Sequence, residues 1–496
     1  MNQESHEKEL ARMGYFSKIK KVFRQSKEIQ ASSAYVICSV VQRCLSFITL
    51  PLFTRLLTQD QFGIGTVYSS TYAVAIIFTT LHLPYGSFSP AMIKFEKDRE
   101  GYISAVNTIC ILFTTIYFII YFLFQSFWNN ILDLPTELMI LLGFDMLFST
   151  SITFWMGKAR FEYKYKTFVK VTLVTTVLGT LCALLAVVFL PNKGVAKVMA
   201  NSFVMIAVGV VIMIMSLVRG KQCFNKKYWK YALSFNIPLI PYYLSQMVFN
   251  QSDRLMINKM TGRSDAAMYG VAYALAFILT FVLNAINNSF IPWLYRKIKE
   301  DRAQEARKIT LIIALIMAVL LLGVIAMAPE IILIMAGEQY MPAIWVVPPV
   351  AMSLLLLFYS QLFINIEFYF EEKYKLVGAS ILAAVVNIVF NYFGIIEFGF
   401  VAAGYTTLIS YILFVVCNYF AMKKLCKDRN IDGNIYNLKG LVLIFLVFSI
   451  TGFGFMALYL FTLIRLTIIV IVLIVILIFR ERIINSIKQL LNTIKR

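Results

Sequence analysis

Residues 228–254 read YWKYALSFNIPLIPYYLSQMVFNQSDR, and this stretch decides the class of the chain. As a helix it is long enough to cross a bilayer, which takes about 20 residues. It is apolar enough to insert, yet Gln246, Asn250 and Asp253 recur at i, i+4 and i+7, a polar stripe on one face. It ends on Asp253 and Arg254, which read as an intramembrane ion pair. Ionisable groups there are costly and by default mark a substrate or ion pathway. Adjacent residues lie about 100° apart on a helix, so these two cannot share one contact direction. Asn250 and Asn258 flank Arg254 at i±4. An interfacial gate, an inter-helix bridge and a binding site all fit that position. Pro238 and Pro241 are expected to bend the helix and free carbonyl groups.

Similar stretches fill the chain. Apolar residues make up 60% of it, and the mean hydropathy is +0.76, which excludes an ordinary soluble domain. Spans are expected at 31–57, 62–83, 103–127, 136–157, 166–190 and 195–218. A second set falls at 230–258, 266–293, 309–328, 343–368, 374–396 and 399–422, and two more at 439–461 and 464–480. The fold class is therefore an all-α polytopic membrane protein with 14 transmembrane helices. The expected units are a basic amphipathic segment (1–30), an N-lobe (31–220), a C-lobe (221–424) and a last pair of spans with a basic tail (425–496).

The formal net charge of +20 is a matter of topology. Of the 46 Lys and Arg, 38 fall in the N-terminus, the even-numbered connections and the C-terminal tail, against 5 in the odd-numbered connections, Lys193, Lys197, Lys259, Arg263 and Arg465. That asymmetry places both termini in the cytoplasm. It also points to contact with anionic lipids and away from nucleic acid. Seven cysteines without a CxxC pair read as small apolar packing residues, and two histidines cannot build a catalytic metal site. No cofactor is expected. Residues 1–30 lack the apolar core of a signal peptide. There Leu10, Met13, Phe16, Ile19, Val22 and Phe23 alternate with Lys18, Lys20, Lys21 and Arg24, as in a helix lying on the inner leaflet, a disordered basic tail being the alternative.

The two six-span sets share a weak internal repeat. At an offset of 205, LLTQDQFGIGTVY (56–68) lies over KMTGRSDAAMYGVAY (259–273), matching Asp60 to Asp265, Gly65 to Gly270 and Tyr68 to Tyr273. Six is even, so the halves share one orientation, the parallel-repeat plan.

Arg43 lies twelve residues into the first span, roughly 18 Å at the helical rise and near mid-bilayer. Ser39, Arg43 and Ser46 share a face, with Gln42 beside them. Arg43 suits a phosphate, because its planar fork bonds two oxygens. A structural pair with Asp145 in the fourth span is the alternative. Asn284, Asn287 and Asn288, with Asn387 and Asn391, fit either inter-helix hydrogen bonding or a lining for sugar hydroxyls. Asp145 and Asp253 are the titratable groups at depth. Glu367 sits beside Glu371, Glu372 and Lys373 and reads as interfacial.

NIPLIPYYLSQMVFNQSDRLMINKMTG, AMYGVAYAL and the later IILIMAGEQYMPAIWVVPPVAMS resemble the polysaccharide (O-unit and capsular repeat-unit) flippase family. That family is a branch of the multidrug/oligosaccharidyl-lipid/polysaccharide exporter superfamily. The resemblance covers the whole chain, and its most specific element is Asn250, Asp253, Arg254 and Ile257. It implies two parallel six-helix lobes around a cationic cavity, alternately exposed, with two appended helices. It implies an oligosaccharide on undecaprenyl pyrophosphate, turned from the cytoplasmic to the outer leaflet of the bacterial inner membrane. Polysaccharide polymerase and chain-length machinery are implied partners. The lipid II flippase is a near relative whose first span carries two arginines six apart. Arg43 matches the first, but Thr49 and Leu50 stand where an Arg-Asp would follow.

Two rivals come from other classes. A repeat-unit polymerase or ligase would need a sizeable outer loop, and a metal-dependent glycosyltransferase a D-x-D pair, and the chain has neither. A cation-coupled multidrug antiporter would favour acidic cavity residues over Arg43.

Overall fold

In the computed structural model, residues 27–277, 279–370, 373–429 and 431–478 are described, and every regular element among them is helical. Residues 1–26, most of the expected amphipathic segment, lie outside the described residues. Ten helical stretches among the described residues are long and apolar enough to cross a membrane. They correspond to expected spans 1–6 and 9–13, with Val377–Asp428 covering spans 11 and 12 together. The chain groups into two compact units, residues 1–57 with 72–240 and residues 58–71 with 241–496.

The first unit holds α1 (Lys27–Leu56), the second half of α2 (Gln59–Thr80), α3 (Phe88–Lys94) and α4 (Arg99–Leu123). It continues with α5 (Gln125–Leu132), α6 (Thr136–Phe161), α7 (Tyr165–Phe189), α8 (Lys193–Gly220) and α9 (Lys226–Asn236). Leu178, Leu181 and Leu185 on α7 and Phe203, Val211, Ile214 and Val218 on α8 are exposed, the faces that lipid covers. Helices in lipid gain no hydrophobic drive toward each other, so small residues must let backbones close. Gly209 on α8 does this: a Cβ there would stand 2.6 Å from the Phe148 carbonyl oxygen of α6.

Connections at one end of this unit are fastened by polar contacts. Asp98 caps α4 through the Gly101 N–H (3.0 Å) and also accepts from the Tyr228 hydroxyl (2.6 Å) and the Gln222 amide (3.2 Å). Phe95, Tyr102 and Tyr228 pack in the buried cluster beside it. After α6, Glu162 pairs with Lys164 (2.6 Å) and Lys158 (3.5 Å). Burial disfavours its charge, but the two ammonium groups outweigh burial and hold the carboxyl below its usual range.

Expected span 7 is broken. After α9 the chain makes a 3₁₀ turn (Ile237–Leu239) and restarts as α10 (Ile240–Met260). Pro238 and Pro241 lack the N–H groups that a continuous helix needs there. Asn236, fully buried, donates its side-chain amide back to the Ala232 carbonyl of α9 (2.8 Å) and across to Ser87 (2.6 Å). The change of unit falls at Ile240/Pro241.

The second unit adds α11 (Arg263–Phe277), α12 (Thr280–Lys299), α13 (Ala306–Ala326), α14 (Ala328–Ala336) and α15 (Val347–Tyr369). α16 (Lys373–Phe398), α17 (Ala402–Asp428), α18 (Leu438–Ala457) and α19 (Thr462–Ile478) follow. Span 8 covers α11 and α12, and residue 278 between them lies outside the described residues. α15 is the centre of this unit, buried along nearly its whole length and packed by α11, α13, α17 and α18. Glu367, expected at an interface, is buried near its end. The two copies of the repeated segment lie against each other here. Gly63 is so close to the Arg263 backbone that a Cβ would stand 2.2 Å from its carbonyl oxygen, and Gly270 faces Thr66. Arg465, counted among connection residues by sequence, is fully buried and ion-paired with Glu330, tying α19 to α14.

Gly209→Val should force α6 and α8 apart, an overpacking cost of about 1–3 kcal/mol. Gly323→Ala, with no atom within 4 Å of the added Cβ, is the control. The thermal midpoint of the purified protein should fall for the first and hold for the second. Equal midpoints would contradict the close approach.

Candidate functional site

The polar stripe of α10 does not face open space. It is absorbed by α11, α16 and α17 into one buried network, all within the second unit. Asp253 is 1% exposed. Its Oδ1 accepts from the Asn391 amide at 2.6 Å. Its Oδ2 accepts from the Thr407 hydroxyl at 2.8 Å and from the Tyr269 hydroxyl. The donors come from three helices and all are neutral. A carboxylate in such a place is tolerable only because each oxygen is hydrogen-bonded.

A second ring of contacts holds the donors. Asn391 also donates to the Asn387 side-chain Oδ1 (3.1 Å) and accepts from Thr406. Asn387 donates to Thr407 (3.2 Å) and accepts from Ser252 (3.1 Å). Further along α10, Asn250 accepts from Tyr411 (3.2 Å), and Gln246 donates to Ser380 (2.9 Å). The i, i+4 spacing of Asn387 and Asn391 puts both on the face of α16 that meets α10.

Arg254 makes no ion pair with Asp253. Its guanidinium donates to Gln251 Oε1 (2.7 Å) and lies 4.3 Å from the centre of the Tyr273 ring. Ser70, on the first half of α2, donates to the same Gln251 oxygen (3.2 Å). The ion-pair reading of the neighbours is therefore corrected. The 100° step between them sends Asp253 into the helix packing and Arg254 toward Tyr273 and Gln251. Among the described residues no Lys or Arg forms an ion pair with Asp253.

The other candidates sit elsewhere. In the first unit, Arg43 is on the exposed side of α1. Ser39 donates to the Tyr35 carbonyl and Ser46 to the Gln42 carbonyl, each at 3.0 Å. Gln42 reaches Thr176 on α7 (2.9 Å). Asp145 is buried on α6 and accepts from Ser202 of α8 (2.7 Å). In the second unit, Asn284 is exposed and Asn287 accepts from Asn365 (2.9 Å). The Asn288 side chain lies outside the described residues.

Tyr269, Thr406, Thr407 and Tyr411 escaped the sequence reading. Their one signal is the pair Thr406-Thr407 within an apolar span, and most Ser and Thr hydroxyls in helices bond only their own backbone.

The profile of a family described as polysaccharide biosynthesis protein matches residues 29–297. No curated protein matches the sequence. Among solved structures, the chain is similar to an inward-facing multidrug resistance MATE family transporter of the MOP superfamily. That match has 12% identity, 78% of this chain, 95% of that chain and a TM-score of 0.59. Lipid II flippase MurJ in an inward closed conformation aligns at 15% identity over 90% of this chain and 99% of that one, with a TM-score of 0.59. A MOP superfamily transporter from Pyrococcus furiosus aligns at 13% identity over 86% and 96%, with a TM-score of 0.51. These likenesses establish a shared polytopic membrane fold.

A double-mutant cycle tests the network. Asp253→Asn with Thr407→Val should be non-additive in thermal stability by about 0.5–3 kcal/mol, as for groups in direct contact. Asp253→Asn with Arg254→Gln should couple less. Stronger coupling to Arg254 would restore the ion pair and contradict the geometry.

Proposed function

The chain belongs to the polysaccharide biosynthesis protein family, and from that premise we propose that it is a flippase for lipid-linked oligosaccharides. The substrate is an oligosaccharide repeat unit on undecaprenyl pyrophosphate. The protein turns it from the cytoplasmic to the outer leaflet of the bacterial inner membrane by alternating access. The observation that carries this reading is the family match over a multi-pass helical fold. A charged, sugar-bearing head group cannot cross hydrocarbon unaided. The protein's task is to shield that group, with no bond made or broken.

In this reading the 14 spans form two six-span lobes, 31–220 and 221–424, with 425–496 as an appended pair and tail. The charge asymmetry puts both termini in the cytoplasm. Arg43 is the phosphate-binding group, supported by its depth on α1 and its exposure there. Asp253 is the coupling group. Its charge is balanced only by dipoles, so it takes up and releases a monovalent cation, a proton included, as the helices that supply those dipoles rearrange. Asn387, Asn391 and Thr407 are then the groups through which occupancy is felt on α16 and α17.

Deleting the gene should abolish a surface polysaccharide and leave lipid-linked repeat units on the cytoplasmic side. Intact polymer with new sensitivity to cationic drugs would favour the antiporter instead. In the deletion strain, Arg43→Lys should restore part of the polymer, and Arg43→Ala none, at normal membrane abundance. Recovery by Arg43→Ala combined with Asp145→Asn would contradict phosphate binding and leave Arg43 a structural ion.

A further inference from the structure

The last turns of α17 carry Phe420, Lys423, Lys424 and Lys427, at i, i+3, i+4 and i+7 on one helix face. With Ile431 and Gly433 of the following connection they line a cavity of about 520 Å³. The far wall is fixed in place. The Ile431 N–H donates to the Cys426 carbonyl (2.9 Å), turning the chain back over the helix end. Gly433 then lies against Lys423, where a Cβ would already touch its Cγ at 3.5 Å. Asp432 does not neutralise the lysines. One of its oxygens takes the Arg307 guanidinium (3.0 Å) and the Gln304 amide (3.2 Å), and the other the Asn434 N–H (2.9 Å).

Three ammonium groups thus surround one space, and among the described residues none of them forms an ion pair. Such clustering of like charge is relieved by an anion. The wall gives its character. Phe420 lies one turn deeper along α17 than Lys423 and Lys424 and is 62% exposed, and Ile431 lines the same cavity. A free inorganic anion gains nothing from those two side chains. An anion joined to acyl chains does, because its head meets the lysines while its first methylenes lie on Phe420. The lysine stems can stretch toward the interface as they do so.

We propose that this cavity binds the phosphate of an anionic glycerophospholipid in the inner leaflet. The leaflet rests on the topology proposed above, but lipid binding is independent of what the protein transports and is read without any transport assay. Each lysine near an anionic headgroup is worth roughly fivefold in affinity, so removing three weakens binding about a hundredfold.

The purified full chain is placed in phosphatidylcholine nanodiscs containing a trace of headgroup-labelled phosphatidylglycerol, and retained lipid is counted by native mass spectrometry. Wild type should hold phosphatidylglycerol in preference to phosphatidylcholine. Lys423→Gln with Lys424→Gln and Lys427→Gln should lose that preference at an unchanged thermal midpoint, and the corresponding Arg triple should keep it. The control triple, Lys166→Gln with Lys170→Gln and Lys230→Gln, removes the same charge from exposed positions elsewhere and should bind as wild type. Millimolar inorganic phosphate should not displace the lipid. An equal loss in both Gln triples would reduce the lysines to a general surface charge and overturn the site. Displacement by inorganic phosphate would overturn the lipid.

Discussion

A carboxylate inside a membrane protein must be answered by hydrogen bonds, and much of the second unit is arranged to answer Asp253. Three neutral donors converge on it from α11, α16 and α17. Asn391 and Thr407 are each held by a further hydrogen bond, so the helices cannot shift independently without opening a buried bond. An open bond of this kind costs about 1–3 kcal/mol, more when a charge is involved. That makes the network a stiff link between α10 and the α16–α17 pair. Its energy depends on whether the carboxylate is charged. Such a link converts the state of one ionisable group into a preference between helix arrangements, which is what coupling requires.

The same constraint explains where the backbone is allowed to break. The interruption before α10 costs backbone hydrogen bonds in a setting without water. It sits where Pro238 and Pro241 could not have made them. Asn236 closes the preceding helix by donating its side-chain amide to the Ala232 carbonyl. Close approach follows from the same absence of hydrophobic drive between helices. Gly209 against Phe148 and Gly63 against Arg263 bring backbones nearer than any larger residue permits.

The sequence was legible wherever lipid dictates composition. Apolar length located the helices, and Gln246, Asn250 and Asp253 stood out because polar groups in a span are rare. Asn387 and Asn391 were visible as a pair but not as partners of Asp253, since spacing along a chain says nothing about which helix lies opposite. Thr407 and Tyr269 were invisible for a different reason. A Ser or Thr hydroxyl in a helix usually bonds its own helix's carbonyl, as Ser39 and Ser46 do, and tyrosine is common throughout the chain, so a Thr and a Tyr that reach across helices do not stand out in sequence. Arg465 was misplaced as a connection residue because its partner, Glu330, is more than a hundred residues away.

The central claim is that Asp253 couples a cation to lipid-linked oligosaccharide transport. It is tested most directly in proteoliposomes carrying the purified protein and a lipid-linked oligosaccharide. The initial rate of leaflet exchange is measured with and without imposed proton and sodium gradients. Wild type should accelerate under one of the two gradients. Asp253→Asn, reconstituted at an equal amount of folded protein, should keep the gradient-free rate and lose the acceleration. An Asp253→Asn protein that responds to the gradient as wild type does would contradict the claim.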